Sequence, residues 1–280
     1  MHNSFRLSLF TLLVTILACS GNDEQKVLDP NGLTDTEQIK TPANSDGIKT
    51  IHVLVALCDN KYQGIVPVPP SIGNGQDPKN NLYWGTGHGV KSFFNKSKDW
   101  KLISTQANPV ENILERLLFK HRTKDIYLLA DAYDGQYIRQ TTIDFLAASS
   151  GENAIAIGTS GKKIYFGGVS DLIAYVGHDG LMDFSIDKKF KGDDRKKRQT
   201  IVLACYSKNY FSAHLKQTGA LPLIWTTGLM APEAYTLHDA IDAWVENKPV
   251  IEIRLAAAKA YAKYQKCGLK ASQRLLVSGW

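Results

Sequence analysis

Three features of the 280-residue sequence predict an α/β fold, a mostly parallel sheet with helices on both faces. Short apolar runs rich in Val, Ile and Leu alternate with longer amphipathic stretches, the pattern of strands joined by helical crossovers. Those runs are continuous rather than alternating in polarity, as in strands covered on both faces. Several end in polar or reactive side chains, and open α/β sheets bind ligands outside the carboxyl ends of their strands.

The first residues read as an export signal rather than as part of the fold. Met1–Arg6 carries one positive charge, and Leu7–Leu17 is an apolar run too short to span a bilayer. Ile16-Leu17-Ala18-Cys19 resembles a bacterial lipobox, in which cleavage precedes the cysteine and that cysteine is lipidated. The alternative is an ordinary signal peptide with an incidental Cys19. Ser20 after the cysteine points to the outer membrane of a cell envelope. Residues 1–18 are then the signal peptide. Residues 19–49 form a tether, because from Ser20 to Lys49 there is no aromatic residue and too little apolar surface to fold. Its random-coil reach is roughly 30 Å.

Residues 50–280 are long enough for one sizeable domain. Ile51–Leu57 predicts the first strand, ending at Cys58, Asp59 and Asn60. The Pro-, Gly- and Asn-rich stretch from Lys61 to Asn81 is long for a connection, which suggests a role at a site. A helix is expected over Leu82–Asn95. The glycines at 85, 87 and 89 do not have the spacing or the preceding strand of a dinucleotide fingerprint. Trp100–Thr105 predicts a second strand. Asn108, Pro109 and Glu111 read as the start of a helix with Val110, Ile113, Leu114, Leu117 and Leu118 as its buried stripe. Asp125–Ala130 predicts a strand ending near Asp131 and Asp134, followed by a helix over Tyr137–Ala148. The segments 154–157 and 163–166 flank a Gly-rich turn and predict a hairpin.

Asp171–Gly177 and Thr200–Ala204 predict the next two strands. Ser207 is expected to cap a helix ended by Gly219. Leu221–Thr226 predicts another strand, with Thr226 and Thr227 at its end. Pro232 opens a helix with Leu237, Ile241, Trp244 and Val245 on one face. Ile251, Leu255, Ala258 and Ala262 mark the last helix.

The formal net charge is +6, and seven of the basic residues fall in one loop, Lys188–Arg198. For an exported chain this excludes nucleic acid as the expected partner. A solvated loop is the default reading, with a cleavable activation loop or an anion-binding lip as alternatives. Of the four cysteines, three remain if Cys19 carries lipid, so at least one is a free thiol or bonds another chain. Neither a Cys-x-x-Cys nor a His-x-x-x-His pair occurs, so no metal is expected. No cofactor is implied.

The chemistry centres on His178-Asp179-Gly180 and Cys205-Tyr206-Ser207, at the ends of two successive strands. A cysteine attacks and a histidine moves the proton in thiol nucleophilic catalysis. The bland alternative is a structural histidine and a core cysteine. Papain-like enzymes place the cysteine first, and no Gly-x-Ser-x-Gly elbow occurs. With its opening strand Ile51–Ala56, its Asp171–Asp183 segment, Leu203–Ser207, Ile224–Thr227 and Glu233-Ala234-Tyr235, the chain resembles the caspase–haemoglobinase group of cysteine peptidases. The resemblance implies a Cys205 nucleophile, His178 as acid and base, backbone N–H groups near Gly180 and Cys205 for the oxyanion, and a peptide or protein substrate. Asp179 departs from it, since the group usually has glycine directly after the histidine. Asp59, Asn60, Asp134, Thr226 and Thr227 are expected to shape the pocket. A helix start after Cys205 predicts a depressed thiol pKa, and a Cys58–Cys205 disulfide is the competing fate. The group also contains inactive members, so a binding lipoprotein is the rival reading.

If Cys19 is the lipid attachment point, Cys19→Ser releases the protein from membranes. Fractionation and immunoblotting check this, and a mutant that stays with membranes refutes the lipid assignment.

Overall fold

The computed structural model describes residues 42–45, 47–159, 161–192 and 196–280. The expected signal peptide, Cys19 and most of the tether lie outside the described residues. Thr41–Trp280 groups as one compact unit. Order begins earlier than residue 50. The Asn44 side chain donates to Tyr165 O (2.9 Å) and accepts from Tyr165 N–H (2.8 Å).

The central strands are β1 (Lys49–Ala56), β4 (Ile126–Tyr133), β7 (Leu172–Val176), β8 (Gln199–Leu203) and β9 (Leu221–Thr226), all mutually parallel. Antiparallel strands flank them. On one side are β3 (Ile113–His121) and the edge strand β2 (Trp100–Val110), and on the other β10 (Leu276–Val277). The eight-stranded order is β10-β9-β8-β7-β1-β4-β3-β2. A separate hairpin, β5 (Ile155–Thr159) and β6 (Lys162–Phe166), matches the one expected from the sequence.

Helices cover both faces, as the continuous apolar runs require. On β1, Ile51, Val53 and Val55 face α1 (Val90–Lys96), α4 (Ala234–Val245) and α5 (Val250–Gln265). Leu54 and Ala56 face α2 (Ile138–Ser150) and α3 (Ser207–Thr218). The β5–β6 hairpin covers Leu118 and Leu129 on the second face. Short α6 (Leu269–Leu275) leads into β10. Among the described residues no helix is long and apolar enough to cross a membrane.

Three sequence expectations are corrected. The helix expected from Asn108 is instead the β2–β3 hairpin. Asn112 takes φ 69° at its turn and Asn108 takes φ 46° at a bulge, both conformations that asparagine tolerates. Pro109 is accommodated because β2 is an edge strand. The apolar spacing of Leu114, Leu117 and Leu118 came from a strand packed on both faces, not from a helical stripe. Only Val90–Lys96 of the expected Leu82–Asn95 helix forms, and turns precede it. The buried face of α5 is Ile253, Ala257, Ala258, Ala260 and Tyr261, so the expected stripe is rotated and Ile251 is exposed.

One polar group is buried within the sheet. Arg116 on β3 donates to Asp131 on β4 through Nε (2.6 Å) and Nη2 (2.8 Å), and His52 Nε2 on β1 donates to the same carboxylate (3.0 Å). All three side chains are buried. Burial alone would raise the Asp131 pKa, but the Arg116 and His52 hydrogen bonds outweigh it and hold the carboxyl below its ordinary range. Removing one partner strands a buried charge. Arg116→Ala is therefore expected to cost about 3–5 kcal/mol, read as a lowered urea midpoint with an unchanged slope.

Candidate active site

The site grows from the parallel pairing of β7 with β8. Val176 pairs with Leu203, so both strands end together and leave at the same edge. Gly177 then turns the chain with φ 147°, and a side chain there would lie 2.7 Å from Ala56 O at the end of β1. Only glycine fits this approach. The Tyr175 hydroxyl donates to His178 O (2.8 Å) and fixes the histidine backbone.

Asp179 follows His178 and is fully buried. Its Oδ1 accepts from Leu181 N–H (3.0 Å), capping a 3-10 turn over Gly180–Met182. This turn carries Asp183 back to the histidine, where His178 Nε2 donates to Asp183 Oδ2 (2.7 Å). A carboxylate only accepts, so the Nε2 nitrogen holds the proton and Nδ1 is the basic atom of the neutral ring. Asp183 Oδ2 also accepts from Gly64 N–H (3.0 Å), and a Cβ at Gly64 would collide with this carboxylate. The sequence reading missed Asp183 as an orienting group. Its only signal was a carboxylate one tight turn after the histidine.

Cys205 lies beyond β8, half-buried, and Tyr206 after it adopts the left-handed conformation (φ 48°, ψ 28°). Such strain in a non-glycine residue clusters at functional sites. Tyr206 occupies the N-cap position, which corrects the expectation for Ser207. Ser207 is the first residue of α3, and its Oγ donates to Val202 O (2.9 Å) and accepts from Thr226 N–H (2.9 Å). The Cys205 sulfur accepts from Met230 N–H at 3.4 Å.

The expected depressed thiol pKa is not found. Burial pushes Cys205 up, and nearby Asp179 adds to this, against the smaller opposing effect of the Met230 N–H. Desolvation of the thiolate is the largest of these effects. The disulfide does not form either. Cys58, Cys205 and Cys267 are free thiols, and burial pushes Cys58 up to about 11, against the opposing hydrogen bond from Tyr83.

His178 and Cys205 both line one cleft of about 400 Å³. Its walls include Ile65, Val68, Leu82, Met182, Leu229 and Met230. The long loop after β1 thus reaches the site. Asp59 and Asn60 hold that loop instead of lining the cleft. Asp59 accepts from Lys61 N–H (2.7 Å), Tyr62 N–H (2.9 Å) and Gly75 N–H (3.0 Å), while Asn60 brackets Val68. Asp134 accepts from the Gln76 (2.6 Å) and Gln136 (2.8 Å) side chains in the same scaffold. Thr226 is buried against Ser207 and Ala204, and Thr227 donates to Arg274 O (2.8 Å), so neither lines the cleft.

Gly180 N–H lies near the Tyr175 hydroxyl, which itself donates to His178 O. The N–H groups of Asp179 and Cys205 make no hydrogen bond among the described residues. Most of the described basic loop is solvated, as expected, with Lys188, Lys189, Lys191 and Lys197 exposed, and its C-terminal end is held in place. Arg198 is buried with Nε on Gly168 O (2.5 Å), and Lys196 pairs with Asp171 (2.9 Å), both at the amino ends of β7 and β8, opposite the cleft. Arg195 lies outside the described residues. His238, Asp239 and Asp242 on α4 bring possible metal-ligand atoms together, but His238 Nδ1 is already placed against both carboxylates (3.1 and 3.3 Å).

Burial pushes the Asp179 carboxyl up to about 7; Leu181 N–H opposes this and Asp183 adds to it. Between an unfolded value near 4 and a folded value near 7, the native state holds a proton that the unfolded state has released. Stability therefore falls as pH rises through this window, by up to roughly 4 kcal/mol. Urea unfolding at pH 5 and pH 8 checks this. The loss is expected in the wild type and largely absent in Asp179→Asn.

Against known proteins, the chain matches no family model, no curated protein and no solved structure.

Proposed function

We propose that the domain is a cysteine peptidase of the caspase–haemoglobinase type, held at the cell envelope by lipid on Cys19. The observation that carries the reading is the placement of His178 and Cys205 at the ends of adjacent parallel strands, on the wall of one cleft. The segments that carry the sequence resemblance lie in, or at the carboxyl ends of, four adjacent strands, β1, β7, β8 and β9.

His178 Nδ1 takes the thiol proton as the Cys205 sulfur attacks the carbonyl carbon of a peptide bond. The resulting oxyanion is held by the N–H groups of Cys205 and Asp179. Asp179 N–H replaces the glycine N–H that the resemblance implied. Collapse breaks the C–N bond, and the imidazolium returns its proton to the leaving amine. Water activated by His178 then hydrolyses the thioester and frees the thiol. Asp183 orients the ring and stabilises its charged form. Because burial holds the thiol neutral at rest, proton transfer accompanies attack instead of preceding it.

One observation favours a second reading, a non-catalytic binding cleft. The thiol's pKa is raised, the reverse of an activated resting nucleophile. Digestion of a peptide library separates the two. Cys205→Ala and His178→Ala are each expected to reduce cleavage on the order of 10⁴-fold or more. Undiminished cleavage by Cys205→Ala, or none by any form, removes the peptidase.

A further inference from the structure

The cleft carries one fixed negative charge with no cation to match it. Among the described residues lining it, the ionisable side chains apart from His178 are Tyr83, Cys205 and Glu233. Glu233 is half-buried, and its Oε2 accepts only from neutral donors, the Tyr235 hydroxyl (2.9 Å) and Gln265 Nε2 (3.2 Å). No Lys or Arg pairs with it among the described residues. The carboxylate is hydrogen-bonded but has no cationic partner, so a ligand cation at the cleft would find a complementary charge.

Its position relative to the thiol is fixed by the chain. Met230 N–H touches the Cys205 sulfur, and Glu233 follows three residues later. The Met230 and Glu233 α-carbons are therefore no more than about 11 Å apart. Leu229 and Val66 at the rim are exposed, at 68% and 85%. Apolar surface next to a charged end suits a long side chain whose stem packs on hydrocarbon while its head stays polar.

The geometry points to Glu233 as a specificity-determining residue that selects a peptide segment bearing a lysine or arginine side chain. This rests on reading the cleft as the substrate site. The aliphatic stem lies along the apolar wall that includes Ile65, Leu82 and Met230, and the cation meets the free face of the Glu233 carboxylate. Acidic side chains are rejected twice, by desolvation and by like charge.

The test compares two peptides identical except for one residue, lysine or norleucine, which share a stem and differ only in the ammonium group. Binding to the full chain carrying Cys205→Ala is followed by fluorescence anisotropy, and cleavage by the wild type is followed separately. Lysine is expected to be preferred about tenfold or more, with the preference shrinking as salt rises. Adding Glu233→Gln is expected to bring the ratio close to one. Equal binding of both peptides, binding of neither, or a preference that survives Glu233→Gln overturns the assignment. A lysine preference in binding without any cleavage supports Glu233 while sinking the peptidase. Cys205-dependent cleavage without a lysine preference does the reverse.

Discussion

The in-register pairing of Val176 with Leu203 is the constraint on which the candidate chemistry depends. Parallel strands finish at the same edge, so one ladder decides that the residues after both strands share a surface. A slip of one residue would reverse the faces of a whole strand. That register is protected because both faces of β7 are buried, with Ala174 in one core and Ile173 and Tyr175 in the other. The crossover from β7 to β8 is pinned far from the site by Lys196 on Asp171 and by Arg198 on Gly168 O. Thus a loop that looks like a charged surface feature helps set where Cys205 emerges.

Buried carboxylates serve different ends in different places. Asp131 is neutralised by Arg116 and His52 and joins three strands. Among the described residues Asp179 has no cationic partner, and its Oδ2 makes no hydrogen bond. The first arrangement keeps its charge and the second favours a proton. Asp59 accepts from a nest of backbone N–H groups, which anchors the loop walling the cleft. The distinction lies in what each carboxylate faces, since burial is common to all three.

The parallel strands were legible because each was a short run of branched residues bounded by turn formers. His178 and Cys205 were legible for the same reason, as polar ends of such runs. The β2–β3 hairpin was not, because Asn108-Pro109 with Glu111 imitates a helix start and Leu117-Leu118-Phe119 fits either period. Tertiary pairing with β4 decided between them. Asp59, Asn60 and Asp134 were picked for their position at strand ends. Their hydrogen bonds run to the loop, which no pattern along the chain could show. Thr226 failed as a cleft residue because its hydroxyl is consumed in the clamp with Ser207 and Ala204. The thiol's direction of shift was misread because a helix terminus is visible in sequence and desolvation is not.

Asp179 gives the departure from the peptidase pattern a physical reason. Where the resemblance expects glycine, this chain places a carboxyl that caps the turn returning Asp183 to His178. The same carboxyl lies close enough to raise the Cys205 pKa when it is charged. A neutral Asp179 keeps the cap, because its carbonyl oxygen still accepts from Leu181 N–H, and it removes the repulsion acting on a forming thiolate. Stability and nucleophile formation therefore both favour the protonated carboxyl, and burial supplies that state up to near pH 7. Glycine would leave the backbone N–H in place but lose the cap on the turn that leads to Asp183. In this fold the side chain at 179 caps the turn that brings Asp183 to His178.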